Sequence, residues 1–108
     1  MKLPDNVVIA EAKLTEYLLT WRPRNDKSGF LARAGFERSR WQELAAELQR
    51  LAKEADAELA GSSPFGELLS VRGELLGPNG GILKVKTIWI RLAEIDEVRF
   101  VTLLPDKD

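Results

Sequence analysis

The chain has 108 residues, 44% hydrophobic and 31% charged, which suits one packed domain and excludes both a second core and a wholly disordered chain. Seventeen acidic residues against sixteen basic ones, a net charge of −1, argue against a general nucleic-acid coating protein. With neither Cys nor His, the sequence excludes disulfides, thiolate nucleophiles, zinc fingers, Ser-His-Asp triads and His-ligated metals, so proton chemistry falls to Lys, Arg, Tyr, Asp, Glu or positioned water.

Pro4-Asp5-Asn6 reads as a turn, and Val7-Val8-Ile9 as a short β-branched run able to add an edge strand. From about Glu11 to Leu19, the apolar side chains of Leu14, Tyr17 and Leu18 fall at i, i+3 and i+4, one face of a helix. Thr20 to Asn25 breaks that helix, because Pro23 disfavours a helical Arg22. Asp26 then reads as an N-cap before Phe30, Leu31 and Ala34, with Gly35 suited to a left-handed helix end and Phe36 folding back. Ser39 with Gln42 has capping-box spacing. The longest helix is expected from there through Leu59, with Trp41, Leu44, Leu48, Leu51 and Ala55 on its core stripe and Glu43, Glu47, Arg50 and Glu54 in water.

The hydrophobic period changes after Pro64. Leu69, Val71 and Leu75 share one parity, interrupted by Gly73, and Gly77-Pro78-Asn79-Gly80-Gly81 is a turn. Ile82 to Leu92 reads as the central strand, with Val85, Thr87, Trp89 and Arg91 on one face and Lys84, Lys86, Ile88 and Ile90 on the other. After a turn at Glu94 to Glu97, Val98 to Leu104 makes the last strand, with Arg99, Val101 and Leu103 opposite Val98, Phe100, Thr102 and Leu104. The expected fold class is α+β: two or three N-terminal helices packed on one face of a C-terminal antiparallel sheet of three to four strands. One domain is expected over 1–108, helical over about 10–60 and sheet over about 66–104.

The first residues, MKLPDNVVIAEAK, lack the apolar core of a secretory signal, and no apolar run reaches the roughly 20 residues of a membrane span, so a soluble cytoplasmic protein without membrane contact is expected. Charge is unevenly placed. Arg22 to Arg40 holds six basic residues against two acidic ones, and Glu43 to Glu67 reverses that ratio. Such an asymmetry steers anions to one side, and it also arises on solvated helix surfaces. GPNGG lacks the Lys-Ser/Thr ending of a phosphate loop and precedes a strand, so it reads as a hairpin turn. The pairs Glu43/Glu47 and Glu54/Glu58 have i,i+4 spacing without His or Cys and read as solvated, so no metal and no cofactor is expected. Trp89, beside Lys84, Lys86 and Arg91, is the candidate binding aromatic.

The order Lys13-Leu14, Tyr17-Leu18-Leu19, Lys27-Ser28-Gly29-Phe30, Gly35-Phe36, Trp41-Gln42-Glu43-Leu44, Gly77-Pro78-Asn79-Gly80, Val85-Lys86-Thr87-Ile88-Trp89-Ile90 and Arg99-Phe100-Val101-Thr102 resembles a family of small bacterial domains. The same order of helices, GPNG turn and T-x-W strand is similar to toxin tips of contact-dependent bacterial competition systems and, more remotely, to the barnase/EndoU/colicin/RelE class of ribonuclease folds. That resemblance implies metal-independent RNA cleavage or RNA binding. Lys27 would be proton carrier or phosphate clamp, Thr87 and Thr102 phosphate donors, and Arg91 or Arg99 the charge stabiliser. Trp89 would be a base platform, and Arg24 a further substrate contact. Similar toxins often place a His shortly before the Lys27 position, where this chain reads Trp21-Arg22-Pro23-Arg24-Asn25-Asp26. Either the chemistry runs on Lys and Arg, or the fold stands without the activity.

Each of these residues also has a plainer role open to it. Lys27 suits a solvated first turn, Thr87 and Thr102 are good strand formers, and Arg91 and Arg99 suit cross-strand pairing with Glu94, Asp96 or Glu97. The competing function is a non-catalytic interaction module, a homodimer or one half of a two-protein system using the open sheet face. Nothing in the sequence is specific to DNA.

Overall fold

The computed structural model describes residues 1–24 and 26–106. Helical segments come first: α1 (Glu11–Lys13), continued by a π-helical turn over Leu14–Leu18, then α2 (Ser28–Ala32), a 3-10 turn (Arg38–Arg40) and α3 (Trp41–Glu54). Four strands follow, β1 (Ala57–Ser63), β2 (Gly66–Leu76), β3 (Ile82–Leu92) and β4 (Val98–Pro105), forming one antiparallel sheet in the order β1-β2-β3-β4. The α+β expectation holds, with four strands. Asn25, the last residue of the expected break after the first helix, lies outside the described residues.

Alternation decides which sheet face is buried. Leu69, Val71 and Leu75 of β2 join Leu83, Val85 and Trp89 of β3 and Val98, Phe100 and Leu103 of β4 in one core with Leu44, Leu48 and Leu51 of α3 and Leu14 and Leu18 of the π turn. Trp89 meets Phe100 edge-on, ring centroids 5.3 Å apart. The other face, including Lys84, Lys86, Ile88 and Ile90, is exposed or half-buried, as the split of β3 predicts.

Four expectations need correction. The longest helix stops at Glu54, and Ala57 to Leu59, expected as its last turn, pair in β1 with Val71 to Leu69 of β2. Long-range partners override the helical period there: Lys2 Nζ donates to the Glu54 carbonyl at 2.6 Å, and the Ala57 N–H donates to the Met1 carbonyl at 2.6 Å. Glu58 consequently never shares a helix face with Glu54. Ser39 caps nothing, because Arg38–Arg40 is a 3-10 turn without a side-chain cap bond, and Arg40 instead reaches Glu43 at 2.7 Å. Gly73 does not interrupt β2; a Cβ there would lie 2.4 Å from Leu51 Cδ1, so the glycine makes room for α3.

The fourth correction bears on function. Pairing of β3 with β4 slips between Ile88/Trp89, so that Ile88 faces Thr102 while Trp89 faces Phe100. Val101 is the extra residue of this bulge, and beyond it the parity of β4 reverses. Leu103 therefore joins the core and Thr102 leaves it, the opposite of strict alternation from Val98.

Two further ties hold the frame. The N-terminal segment forms a bridge at Lys2↔Asp56, just before β1, and a parallel bridge at Val8↔Arg99, so it crosses from one edge of the sheet to the other and realises the edge role expected of Val7-Val8-Ile9. Gly35 ends α2 at φ 91°, and the Phe36 N–H donates to the Leu31 carbonyl, the expected fold-back. The Gly77 to Gly81 turn docks on this end, with the Asn79 amide nitrogen donating to the Arg33 carbonyl at 3.2 Å.

Candidate functional site

The first expected group of site residues divides on the two sides of the sheet. Thr87 and Trp89 are fully buried. Thr87 Oγ1 donates to the Val71 carbonyl at 2.8 Å and accepts from Trp89 Nε1 at 2.8 Å, so each polar atom satisfies the other inside the core. In this structure the Thr87 hydroxyl faces no phosphate and the Trp89 ring no base, because both lie under packed side chains.

Lys27 and Thr102 do come together, through a residue that the sequence reading placed on the core stripe. Lys27 Nζ donates to the Tyr17 hydroxyl at 2.9 Å, and that hydroxyl shares a 3.1 Å hydrogen bond with Thr102 Oγ1. An ammonium group has only donors, so Tyr17 accepts from Lys27, and in the bond to Thr102 either hydroxyl can be the donor. The π-helical turn makes this meeting possible. Its wider winding, closed by the Leu19 N–H to the Leu14 carbonyl at 2.8 Å, seats Leu14 and Leu18 in the core while Tyr17 reaches β4 just past the Val101 bulge.

The loop before α2 brings in more charge. Asp26 gathers the Arg22 backbone N–H at 3.2 Å, the Ser28 backbone N–H at 3.3 Å, the Ser28 hydroxyl at 2.7 Å and the Gly29 N–H at 3.4 Å. It thus caps the start of α2 as expected and ties Arg22 to Ser28 and Gly29. The Ser28 hydroxyl, followed by the Arg22 and other backbone donors, holds its carboxyl below the usual range. With that loop fixed, Arg22 Cζ stands 5.3 Å from the Tyr17 ring centroid, Lys27 Nζ 5.1 Å and Lys13 Nζ 5.8 Å. Three cations surround one phenol. The hydrogen bonds from Lys27 and then Thr102 lower the Tyr17 pKa from 10.0, aided by the Lys27 and Lys13 charges and opposed by burial.

Beside this cluster lies an open groove of about 560 Å³, lined by Ala10, Ala12, Lys13, Glu16, Tyr17, Val101 and Thr102. A smaller hollow of about 190 Å³ shares Ala10, Lys13 and Val101 with it and adds Arg99, whose guanidinium also bonds Glu97. Arg99 therefore borders the site. Arg91 does not join it. Its guanidinium stands 3.8 Å from Glu67 and 3.9 Å from Met1 Sδ, on the face that Thr87 and Trp89 share. Arg24 is exposed on the Arg22 to Asp26 loop. Among the described residues no group of three carboxylates could hold a metal ion, and no helix is long and apolar enough to cross a membrane.

Lys13, Tyr17 and Arg22 are the members that the sequence reading missed. One signal was available: Tyr17 is the chain's single tyrosine, and a hydroxyl on an apolar helical stripe needs a polar partner.

The chain belongs to a family described as a domain of unknown function (DUF6883), whose model matches residues 2–107. No curated protein matches it. Among solved structures, its fold is similar to that of a chain in a contact-dependent growth inhibition toxin–immunity protein complex from Klebsiella pneumoniae 342. The two are 16% identical, align with a TM-score of 0.72, and overlap over 95% of this chain and 96% of that one. At that identity the likeness is one of fold.

Proposed function

We propose that the Tyr17 cluster is a metal-independent phosphodiester site and that this family member is a toxin-like domain cleaving RNA. The observation that carries the reading is the gathering of Lys13, Arg22 and Lys27 around one phenol that also bonds Thr102. RNA supplies its own nucleophile, so a protein needs a proton acceptor, a proton donor and cations for the phosphorane. Tyr17, with Lys27 and Thr102 donating to its oxygen, is the acceptor.

In the reaction the 2′-oxygen attacks the adjacent phosphorus as its proton passes to the Tyr17 phenolate. The P–O5′ bond breaks, and the leaving oxygen takes a proton from the Lys27 ammonium. Arg22 faces the growing negative charge, and Lys13, Arg24 and Arg99 extend the basic surface around it. The products are a 2′,3′-cyclic phosphate and a 5′-hydroxyl. Lys27 keeps the role of proton carrier, Thr102 serves Tyr17 in place of the phosphate, and Arg22 takes the charge-stabilising role considered for Arg91.

The test is incubation with RNA in chelator. The wild-type chain should yield cyclic phosphate ends, and Lys27→Ala and Tyr17→Phe should each slow cleavage about 100-fold or more with unchanged circular dichroism. RNA left intact by the wild type, or cut as fast by Lys27→Ala, overturns the reading.

A second reading, a non-catalytic interaction module or homodimer, is favoured by the open sheet face, where Leu76, Ile82 and Leu104 are exposed. The structural neighbour's origin in a toxin–immunity complex supports a cognate protein partner under either reading. Light scattering that finds a monomer at every concentration, with no co-purifying protein, counts against the second.

A further inference from the structure

The groove beside the phenol has a chemistry that phosphate binding leaves unused. Its walls are small and apolar at Ala10, Ala12 and Val101, and Tyr17 and Thr102 of the proposed phosphodiester site line it as well. At about 560 Å³ it falls within the roughly 300–1,000 Å³ of small-molecule pockets. The lining carries two charges of opposite sign, Lys13 and Glu16. A carboxylate repels phosphate, so Glu16 has no part in holding the backbone. Glu16 and Lys13 also stand at i,i+3, where ion pairs commonly form, and yet among the described residues no ion pair joins them. Both side chains are exposed, and the Glu16 carboxylate has no hydrogen bond among the described residues.

We infer that this groove is a nucleobase subsite that selects guanine, a deepening that rests on the phosphodiester reading of the Tyr17 cluster. The Watson–Crick edge of guanine places two donors, N1–H and the N2 amino group, side by side, and an ionised carboxylate accepts both at once. Beside them stands the O6 acceptor, which suits an ammonium donor such as Lys13. The other bases fit less well. Adenine and cytosine each set a ring-nitrogen acceptor against a carboxylate next to their amino group, and uracil flanks its single N–H with two carbonyl acceptors. Ala10, Ala12 and Val101 leave room for a flat ring between the helix start and β4. Because the groove opens directly onto Tyr17 and Thr102, a base held there presents its own nucleotide's phosphate to Lys27.

The test is calorimetric binding of the four 3′-mononucleotides and of inorganic phosphate to the intact chain. Wild type should bind 3′-GMP at least about tenfold more tightly than the other three nucleotides. Glu16→Ala should remove that preference without weakening the affinity for inorganic phosphate, and Lys27→Ala should weaken all five ligands together. Equal affinity for the four nucleotides, or a guanine preference that survives Glu16→Ala, overturns the base assignment and leaves the phosphodiester reading standing. Failure of every ligand to bind, or phosphate binding insensitive to Lys27→Ala, overturns both.

Discussion

Thr87 bonds Trp89 and Thr102 bonds Tyr17, so each threonine serves an aromatic side chain, but only one of these pairs is available to a ligand. At Thr87 the hydroxyl gives its proton to the Val71 carbonyl and takes one from Trp89, all under complete burial. At Thr102 the bond reaches a phenol that also takes a proton from Lys27, beside an open groove and three cations. The contrast shows that a polar residue type does not mark a site. What counts is whether its donors and acceptors are already used by the fold.

The comparison is broken most forcefully from the buried side. Trp89→Ala should cost about 3–5 kcal/mol of stability by emptying the space beside Phe100. Thr87→Val, which keeps the shape but strands the Trp89 N–H, should cost about 1–3 kcal/mol. Denaturant unfolding reads both. The folded fraction of either variant should process RNA at the parent rate, and a selective loss of activity in Thr87→Val would return that hydroxyl to the site. On the open side the same substitution should have the reverse character. Thr102→Val should cost at most about 1 kcal/mol and slow RNA cleavage several-fold, because its hydroxyl serves Tyr17 and not the core.

A smaller effect follows from the lowered Tyr17 pKa. Its folded value lies below the ordinary 10.0, so the fold favours the phenolate. That contribution is fully present above about pH 10 and is lost as the pH falls through the lowered folded value. The stability difference between the wild type and Tyr17→Phe should therefore widen in favour of the wild type as the pH rises through that interval. A gap that stays constant would mean that Tyr17 titrates alike folded and unfolded.

Much of the frame could be read along the chain. The split of β3, the Asp26 cap, the Gly35 helix end and the GPNGG turn are local signals, each with its physical cause inside a few residues. The misses came from partners far apart in sequence. Met1 and Lys2 meet the chain at Ala57 and Glu54 and stop the helix where its period would continue. The Val101 bulge has no glycine or proline to announce it, yet it decides that Thr102 and not Leu103 leaves the core. Thr87 and Thr102 looked equivalent as β-formers because their difference lies in pairing register. Tyr17 fell on a helical stripe, and only the wider π turn separates it from Leu14 and Leu18.

The proposed function depends on Lys27, Tyr17 and Thr102 behaving as one coupled unit, and the single tyrosine allows that to be read without interference. Titration of the phenolate absorbance in the wild type, Lys27→Ala and Thr102→Val reports Tyr17 alone. The midpoint should lie below 10.0 in the wild type and rise in both variants, more in Lys27→Ala, which removes a hydrogen bond and a charge together. One shared midpoint in all three proteins would contradict the coupling, and with it the site.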